Sequence, residues 1–187
     1  MHEDLKAALE TLRNKGVILY PTDTVWGIGC DATEPEAVEK IYSIKNRKDK
    51  KSMILLIDAV SRLDDFVEQV PAMALNLIKV TDKPLTIIYP RGRNIASNLI
   101  PEDGSVAIRI VTDMFCRSLI AKFRKPLVST SANFSGMSWP ENFGSIDPAI
   151  VRAVDYVVKW RQDDRSKARP SSIIKVGMNN EINIIRE

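Results

Sequence analysis

The sequence predicts a mixed α/β fold with helices packed on a mixed sheet, and three observations carry that expectation. Short apolar runs recur along the 187-residue chain, bounded by Pro, Gly, Asn or Asp. Stretches with helical apolar spacing alternate with them for most of the length. Towards the C-terminus strands follow one another with no helix between, which a purely parallel sheet does not allow.

The elements follow in order. Leu5, Ala8, Leu9 and Leu12 recur at helical spacing, so a helix is expected from about Asp4 to Lys15, with Gly16 as its stop. Val17 to Tyr20 reads as a buried strand ending at Pro21. A second helix starts near Glu34 and Pro35, with proline in its first turn, and runs into a basic segment. Met53 to Ile57 is a strand, Ser61 to Val67 and Ala72 to Val80 are helices, and Leu85 to Tyr89 and Val106 to Val111 are strands. Asp113 to Phe123 carries Phe115, Leu119 and Phe123 on one helical stripe. Leu127 to Thr130 is a strand opening into a loop rich in Ser, Asn and Gly. A short helix from Ala149 to Ala153 precedes strands at Tyr156 to Trp160, Ser172 to Val176 and Ile182 to Ile185. No linker or repeat interrupts this pattern, and residues 1–187 are expected to form one domain.

Composition narrows the function. With 44% hydrophobic and 27% charged residues, the chain can bury a core and is not a disordered type. No apolar run approaches the ~20 residues that span a bilayer, and the charged, amphipathic N-terminus lacks the apolar core of a signal peptide. A cytoplasmic protein without membrane attachment is expected. Cys30 and Cys116 are the only cysteines and His2 the only histidine. Ser-His-Asp and Cys-His catalysis and the usual histidine metal sites therefore fall away, and the two thiols are expected buried and reduced.

Charge is modest overall at +3, but it is clustered. Residues 45–51 hold five cations and one anion; Arg91 with Arg93, and Arg161, Arg165, Lys167 and Arg169, form two further groups. Any one of these suits a solvated loop, whereas three in a small chain favour an anionic ligand. Within the first group, the flexible Lys45 ammonium and the planar Arg47 guanidinium, two residues apart, suit a polyphosphate. Thr22 and Thr24, followed by Gly27 and Gly29, place hydroxyls in a turn after a strand; the segment is neither a Walker loop nor a dinucleotide fingerprint. In Ser129-Thr130-Ser131-Ala132-Asn133-Phe134-Ser135-Gly136, hydroxyls and an amide crowd a strand end, where open α/β sheets place ligands. Arg109 interrupts an apolar strand and must pair or face a cavity. Arg186 ends the last strand, and Ser171 and Ser172 open the strand before it.

Taken as an ordered set, these segments resemble the YrdC family of threonylcarbamoyl-AMP synthases. The resemblance rests on PTDTVWGIG (21–29), Lys45-x-Arg47, KPLTIIY (83–89), SVAIRI (105–110), STSANFSG (129–136) and PSSIIKV (170–176). It implies a twisted mixed sheet with flanking helices around a large basic cavity. It also implies an enzyme joining L-threonine, bicarbonate and ATP, with Mg²⁺ held mainly by the ATP phosphates and no protein metal site. Catalysis would rest on Lys45 and Arg47. Threonine would be held by Thr24, Arg109, Ser129 and a serine at Ser171 or Ser172. The nucleotide would meet Lys45, Arg47, Lys51, Ser105, Ser131, Asn133 and Arg186. The product would pass to a tRNA threonylcarbamoyl transferase complex for tRNA modification.

The chain departs from the common family pattern at Asp23, at Trp26, at Lys51-Ser52-Met53, and at Leu56, where some members place a histidine near the threonine. A second class of function, tRNA or double-stranded RNA binding, suits the basic segments, and a third, regulation without turnover, rests on the missing histidine at Leu56. Against RNA binding stand an aromatic content of only 6% and the lack of a base-stacking motif.

Overall fold

The structure, a computed structural model, describes residues 1–46 and 53–187. Its helices are α1 (His2–Arg13), α2 (Pro35–Ile44), α3 (Leu63–Phe66), α4 (Ala72–Val80), α5 (Met114–Phe123) and α6 (Pro148–Ala153). Its strands are β1 (Ile18–Tyr20), β2 (Gly27–Gly29), β3 (Ile54–Ile57), β4 (Leu85–Tyr89), β5 (Val106–Ile110), β6 (Leu127–Ser131), β7 (Tyr156–Val157), β8 (Ser172–Val176) and β9 (Ile182–Arg186). They form one sheet in the order β7-β1-β2-β6-β3-β5-β4-β8-β9. The sheet is mixed: β1/β7, β3/β5 and β4/β8 are parallel pairs, and the other neighbours are antiparallel.

Local chemistry explains the helix ends. α1 buries Leu5, Ala8 and Leu12 on one stripe. The left-handed residue beyond its end is Lys15 (φ 58), in place of the expected Gly16 stop. α2 begins with Pro35 at its first position, where a missing N–H costs nothing. Asp113 caps α5 by accepting a hydrogen bond from the Cys116 amide at 2.9 Å, and Arg124 closes it in a left-handed conformation.

Three expectations shift. The helix read at Ser61 to Val67 splits into a 3₁₀ turn, Val60–Arg62, and the one-turn α3, and Val67 turns extended as it enters the core beside Leu63 and Phe66. The strand from Tyr156 to Trp160 shortens to β7, since the Lys159 amide turns away to Asp4 Oδ1 at 2.8 Å. β2 is a strand where a glycine-bearing turn was expected. A Cβ at Gly29 would lie 2.5 Å from the Val128 carbonyl and 2.6 Å from the Tyr20 ring, so only glycine lets this strand fit between its neighbours.

Two apolar cores lie against the sheet. One gathers α2, α3 and α4 with Leu19, Ile28, Leu55, Ile57, Ile108 and Val128. The other gathers α1 and α5 with Ile18, Tyr20, Leu56, Val111 and Leu127. Register decides what the second face carries further along. Leu56 pairs with Leu127 and Arg109, Arg109 with Thr86, and Ile54 with Ser129. Paired residues share a face, so the face that α1 and α5 cover with aliphatic side chains continues as Ile54, Ser129, Arg109 and Thr86. Of these, Ile54, Ser129 and Arg109 form the floor of the cavity described next, and Thr86 is fully buried beside them. Among the described residues, no helix is long and apolar enough to cross a membrane.

Candidate functional site

A cavity of about 730 Å³ opens over that floor, a size typical of small-molecule sites. The turn after β1 supplies Thr24, the C-terminal end of α2 supplies Lys45, and β5 supplies Arg109. Ser129, Ser131 and Asn133 come from β6 and the loop beyond it, Ser171 from the approach to β8, and Arg186 from the end of β9. Eight of the residues expected at the site thus share one hollow. Among the described residues that line it, none is an Asp or Glu.

The Pro21–Val25 turn is organised by Thr22. Its hydroxyl donates to the Val25 carbonyl at 2.8 Å and accepts from the Thr24 amide at 3.0 Å. The Thr24 hydroxyl lies 3.0 Å away. Because Thr22 has already spent its one proton, Thr24 donates to Thr22 and turns its lone pairs towards the cavity. That oxygen can accept a hydrogen bond from a ligand ammonium or amine.

Arg109 is buried, and its Nη2 meets Asp23 Oδ1 at 3.1 Å and approaches the Thr22 hydroxyl at 3.5 Å. Its Nε has no hydrogen-bond partner among the described residues. A buried donor without a partner is costly, so a ligand oxygen at Nε would relieve that cost. Asp23 Oδ2 in turn accepts from the Thr112 amide at 3.2 Å, tying the turn to the end of β5.

Arg186 donates from Nε and Nη2 to the Ser171 carbonyl at 2.9 and 2.7 Å. The Ser171 hydroxyl sits 2.7 Å from that of Thr86. Partial burial lowers the pKa of Arg186, and the nearby charge of Arg109 lowers it further. Two guanidiniums of like charge therefore face the same space, and an anion between them lowers the energy of both.

On the opposite wall, Lys45 is buried and its ammonium donates to the carbonyls of Ser131 at 2.6 Å and Asn133 at 2.7 Å. The Ser135 amide donates back to the Lys45 carbonyl at 3.0 Å. These bonds lock the end of α2 to the β6 loop and hold a positive charge at the cavity wall. Burial pushes the thiols of Cys30 and Cys116 well up, which keeps them protonated and inert.

Ser105 and Ser172 do not line this hollow. Ser105 hydrogen-bonds to Asp103, and that bond, with one from Lys175, holds the Asp103 carboxyl down at about 2. The Ser172 amide donates to the Pro84 carbonyl. Arg47 and Lys51 lie outside the described residues. Elsewhere, Arg91 pairs with Glu68, Arg93 donates to the Asp64 carbonyl, Lys167 pairs with Glu141, and Arg161 joins Asp113, Asp164 and the Thr22 carbonyl. Leu56 is fully buried beneath α5 and does not reach the cavity.

Sequence reasoning named Thr22 and Asp23 without giving either a role of its own, and it missed Thr86 and Trp139. Thr86 carried a signal, a hydroxyl inside an apolar strand in register with Arg109. Trp139 carried none until the course of its loop was known.

Comparison with known proteins adds to this geometry. The Sua5/YciO/YrdC family, described as telomere recombination, matches residues 10–187. A threonylcarbamoyl-AMP synthase of Xanthomonas euvesicatoria is 35% identical over 158 residues, 83% of this chain and 84% of that protein. Escherichia coli YciO superposes with a TM-score of 0.86 at 22% identity, over 100% of this chain and 90% of that one. P. abyssi Sua5 complexed with L-threonine superposes with a TM-score of 0.81 at 23% identity, over 92% of this chain and 50% of Sua5.

Proposed function

The chain belongs to the Sua5/YciO/YrdC family, and we propose that it forms threonylcarbamoyl-AMP and pyrophosphate from L-threonine, bicarbonate and ATP. The observation that carries the reading is a single hollow holding Lys45, Arg109 and Arg186, with no carboxylate among the described residues that line it. Such a site favours small anions brought together, and all three substrates carry negative charge.

The chemistry fits the residues. Threonine, entering with its amine protonated, and bicarbonate give a carbamate, one water and one proton. A carbamate oxygen then attacks the α-phosphorus of ATP as the bond to the bridging oxygen breaks, and pyrophosphate leaves with that electron pair. Phosphoryl-type transfer asks mainly for positioning and charge neutralisation, so a cavity without histidine is no obstacle. Arg109 would clamp the threonine carboxylate, using the Nε that has no protein partner, while the Thr24 oxygen receives the amine. Ser129 and Ser171 would close that pocket. Lys45, Arg47 and Lys51 would take the phosphates, with Ser131 and Asn133 along the nucleotide and Arg186 near its phosphates. The described residues of the lining offer no carboxylate cage for a metal, so Mg²⁺ would arrive held by ATP phosphates and water. The product would serve threonylcarbamoyladenosine formation in tRNA, handed to a separate transferase complex in the cytoplasm.

Incubation of the protein with the three substrates, without RNA, tests this. Mass spectrometry should find the mixed anhydride, and pyrophosphate should appear only when threonine and bicarbonate are both present. ATP left intact by the complete mixture would overturn the assignment.

A further inference from the structure

The cavity has an aromatic element at its mouth that none of the roles above uses. Trp139 lines the hollow, yet 47% of its surface is exposed, and among the described residues no aromatic ring packs against it. It lies outside both cores. An indole left half in water at the rim of a polar site has unspent apolar area.

The loop that carries this ring is held at several points. The Asn133 side chain donates to the carbonyls of Phe134 and Met137, the Met137 amide donates to the Phe134 carbonyl at 3.1 Å, and Ser135 is bonded to Lys45. Gly136 takes the left-handed turn (φ 84), and Pro140, on the far side of the tryptophan, is buried. Trp139 therefore projects from a backbone anchored before and after it, and little ordering would be lost when a ligand lies on it.

Charge selects the ligand. An indole face attracts cations as well as flat rings, but Lys45, Arg109 and Arg186 repel a cation from this hollow. What remains is an anion with a flat, apolar face, the chemistry of a nucleotide. Threonine and bicarbonate have no such face. Trp139 shares its loop with Asn133 and Ser135, the groups bonded to Lys45, so a base on the indole leaves its phosphates on the Lys45 side.

We propose that Trp139 is the platform on which the nucleotide base stacks, and that it sets affinity for ATP without choosing among bases. This rests on the synthase reading for the identity of the nucleotide. Stacking tolerates any base because each has a π-face.

The test uses the whole chain and two variants, W139A and W139F. Adding ATP to the wild-type protein should quench tryptophan fluorescence, and W139F, which keeps Trp26 and Trp160, should lose that quench while binding ATP nearly as well. W139A should raise the KM for ATP on the order of tenfold, leave the KM for threonine unchanged, and weaken GTP as much as ATP. Circular dichroism would show that the variants fold. An unchanged KM for ATP in W139A, or a quench that survives in W139F, overturns the platform while a working wild-type enzyme keeps the synthase reading. A wild-type protein that makes no pyrophosphate but shows the Trp139-dependent ATP quench overturns the synthase reading and supports the platform.

Discussion

Asp23 meets the Arg109 guanidinium at 3.1 Å, with the two side chains only 6% and 4% exposed. The carboxylate comes from the turn after β1 and the guanidinium from β5, so the pair joins two strands that are not neighbours in the sheet. Removing one member leaves a buried charge alone, which costs about 3–5 kcal/mol. Asp23→Ala is expected to lose stability towards the lower end of that range, because Arg109 also faces the cavity. Its KM for threonine should rise as the guanidinium loses its orientation. Urea unfolding and initial rates check the two effects separately.

Arg109→Lys keeps the charge and discards the fork. A point charge cannot hold Asp23 and a ligand carboxylate in one plane. The KM for threonine is expected to rise at least tenfold, about 1.4 kcal/mol of binding. The KM for ATP should change far less, and steady-state kinetics with each substrate varied in turn reads this directly.

The contrast between Arg109 and Leu56 shows what a sequence can and cannot reveal here. Arg109 announced itself, because a guanidinium inside Val106–Ile110 must find a partner or a cavity. The hydroxyl-rich end of β6 and the Lys45 segment were visible for similar reasons, as polar density where apolar residues were expected. Leu56 pairs with Arg109 and shares its face, so periodicity alone places both beside the ligand. Only the docking of α1 and α5 decides that one is covered and the other open, and that is a tertiary fact. β2 was invisible because Gly-Ile-Gly is a poor strand by propensity, although crowding by Val128 and Tyr20 demands it. Helix positions were legible except at Ser61 to Val67, where a 3₁₀ turn and the one-turn α3 stand in place of a helix; elsewhere apolar stripes at helical spacing need no partner to be recognised.

Leu56→Ala should therefore act on stability alone. Its side chain is fully buried among Tyr20, Phe115 and Leu127. Truncating it leaves a cavity costing about 2–5 kcal/mol, seen as a lower urea midpoint. The KM for threonine should stay close to wild type, and a selective rise would show that Leu56 reaches the ligand after all.

Acid stability depends partly on Asp164. Hydrogen bonds from the Ser166 hydroxyl and amide, with one from Arg161, hold its carboxyl at about 2 against an ordinary 3.8. A depressed folded pKa contributes stability that is complete above the unfolded value and is lost as pH falls from about 4 towards 2. Ser166→Ala should move the Asp164 titration up, towards the ordinary carboxylate range, and shift acid unfolding to higher pH. Carboxyl carbon NMR across pH 2 to 5 follows the group itself.

Lys45 is the sharpest test of the catalytic reading, because it has two separable jobs. Its ammonium fastens the Ser131–Asn133 backbone and, on the proposed chemistry, neutralises charge on the phosphates as pyrophosphate leaves. Lys45→Ala should cut turnover at least tenfold, equivalent to about 1.4 kcal/mol of barrier, and also lower the thermal midpoint as the loop loosens. Arg47→Ala should match the kinetic loss. If loop fastening were the whole role, activity in Lys45→Ala would recover on cooling below its lowered melting range. A rate deficit that persists in the fully folded variant assigns the charge to the reaction, and near-normal pyrophosphate release by both variants would remove them from it.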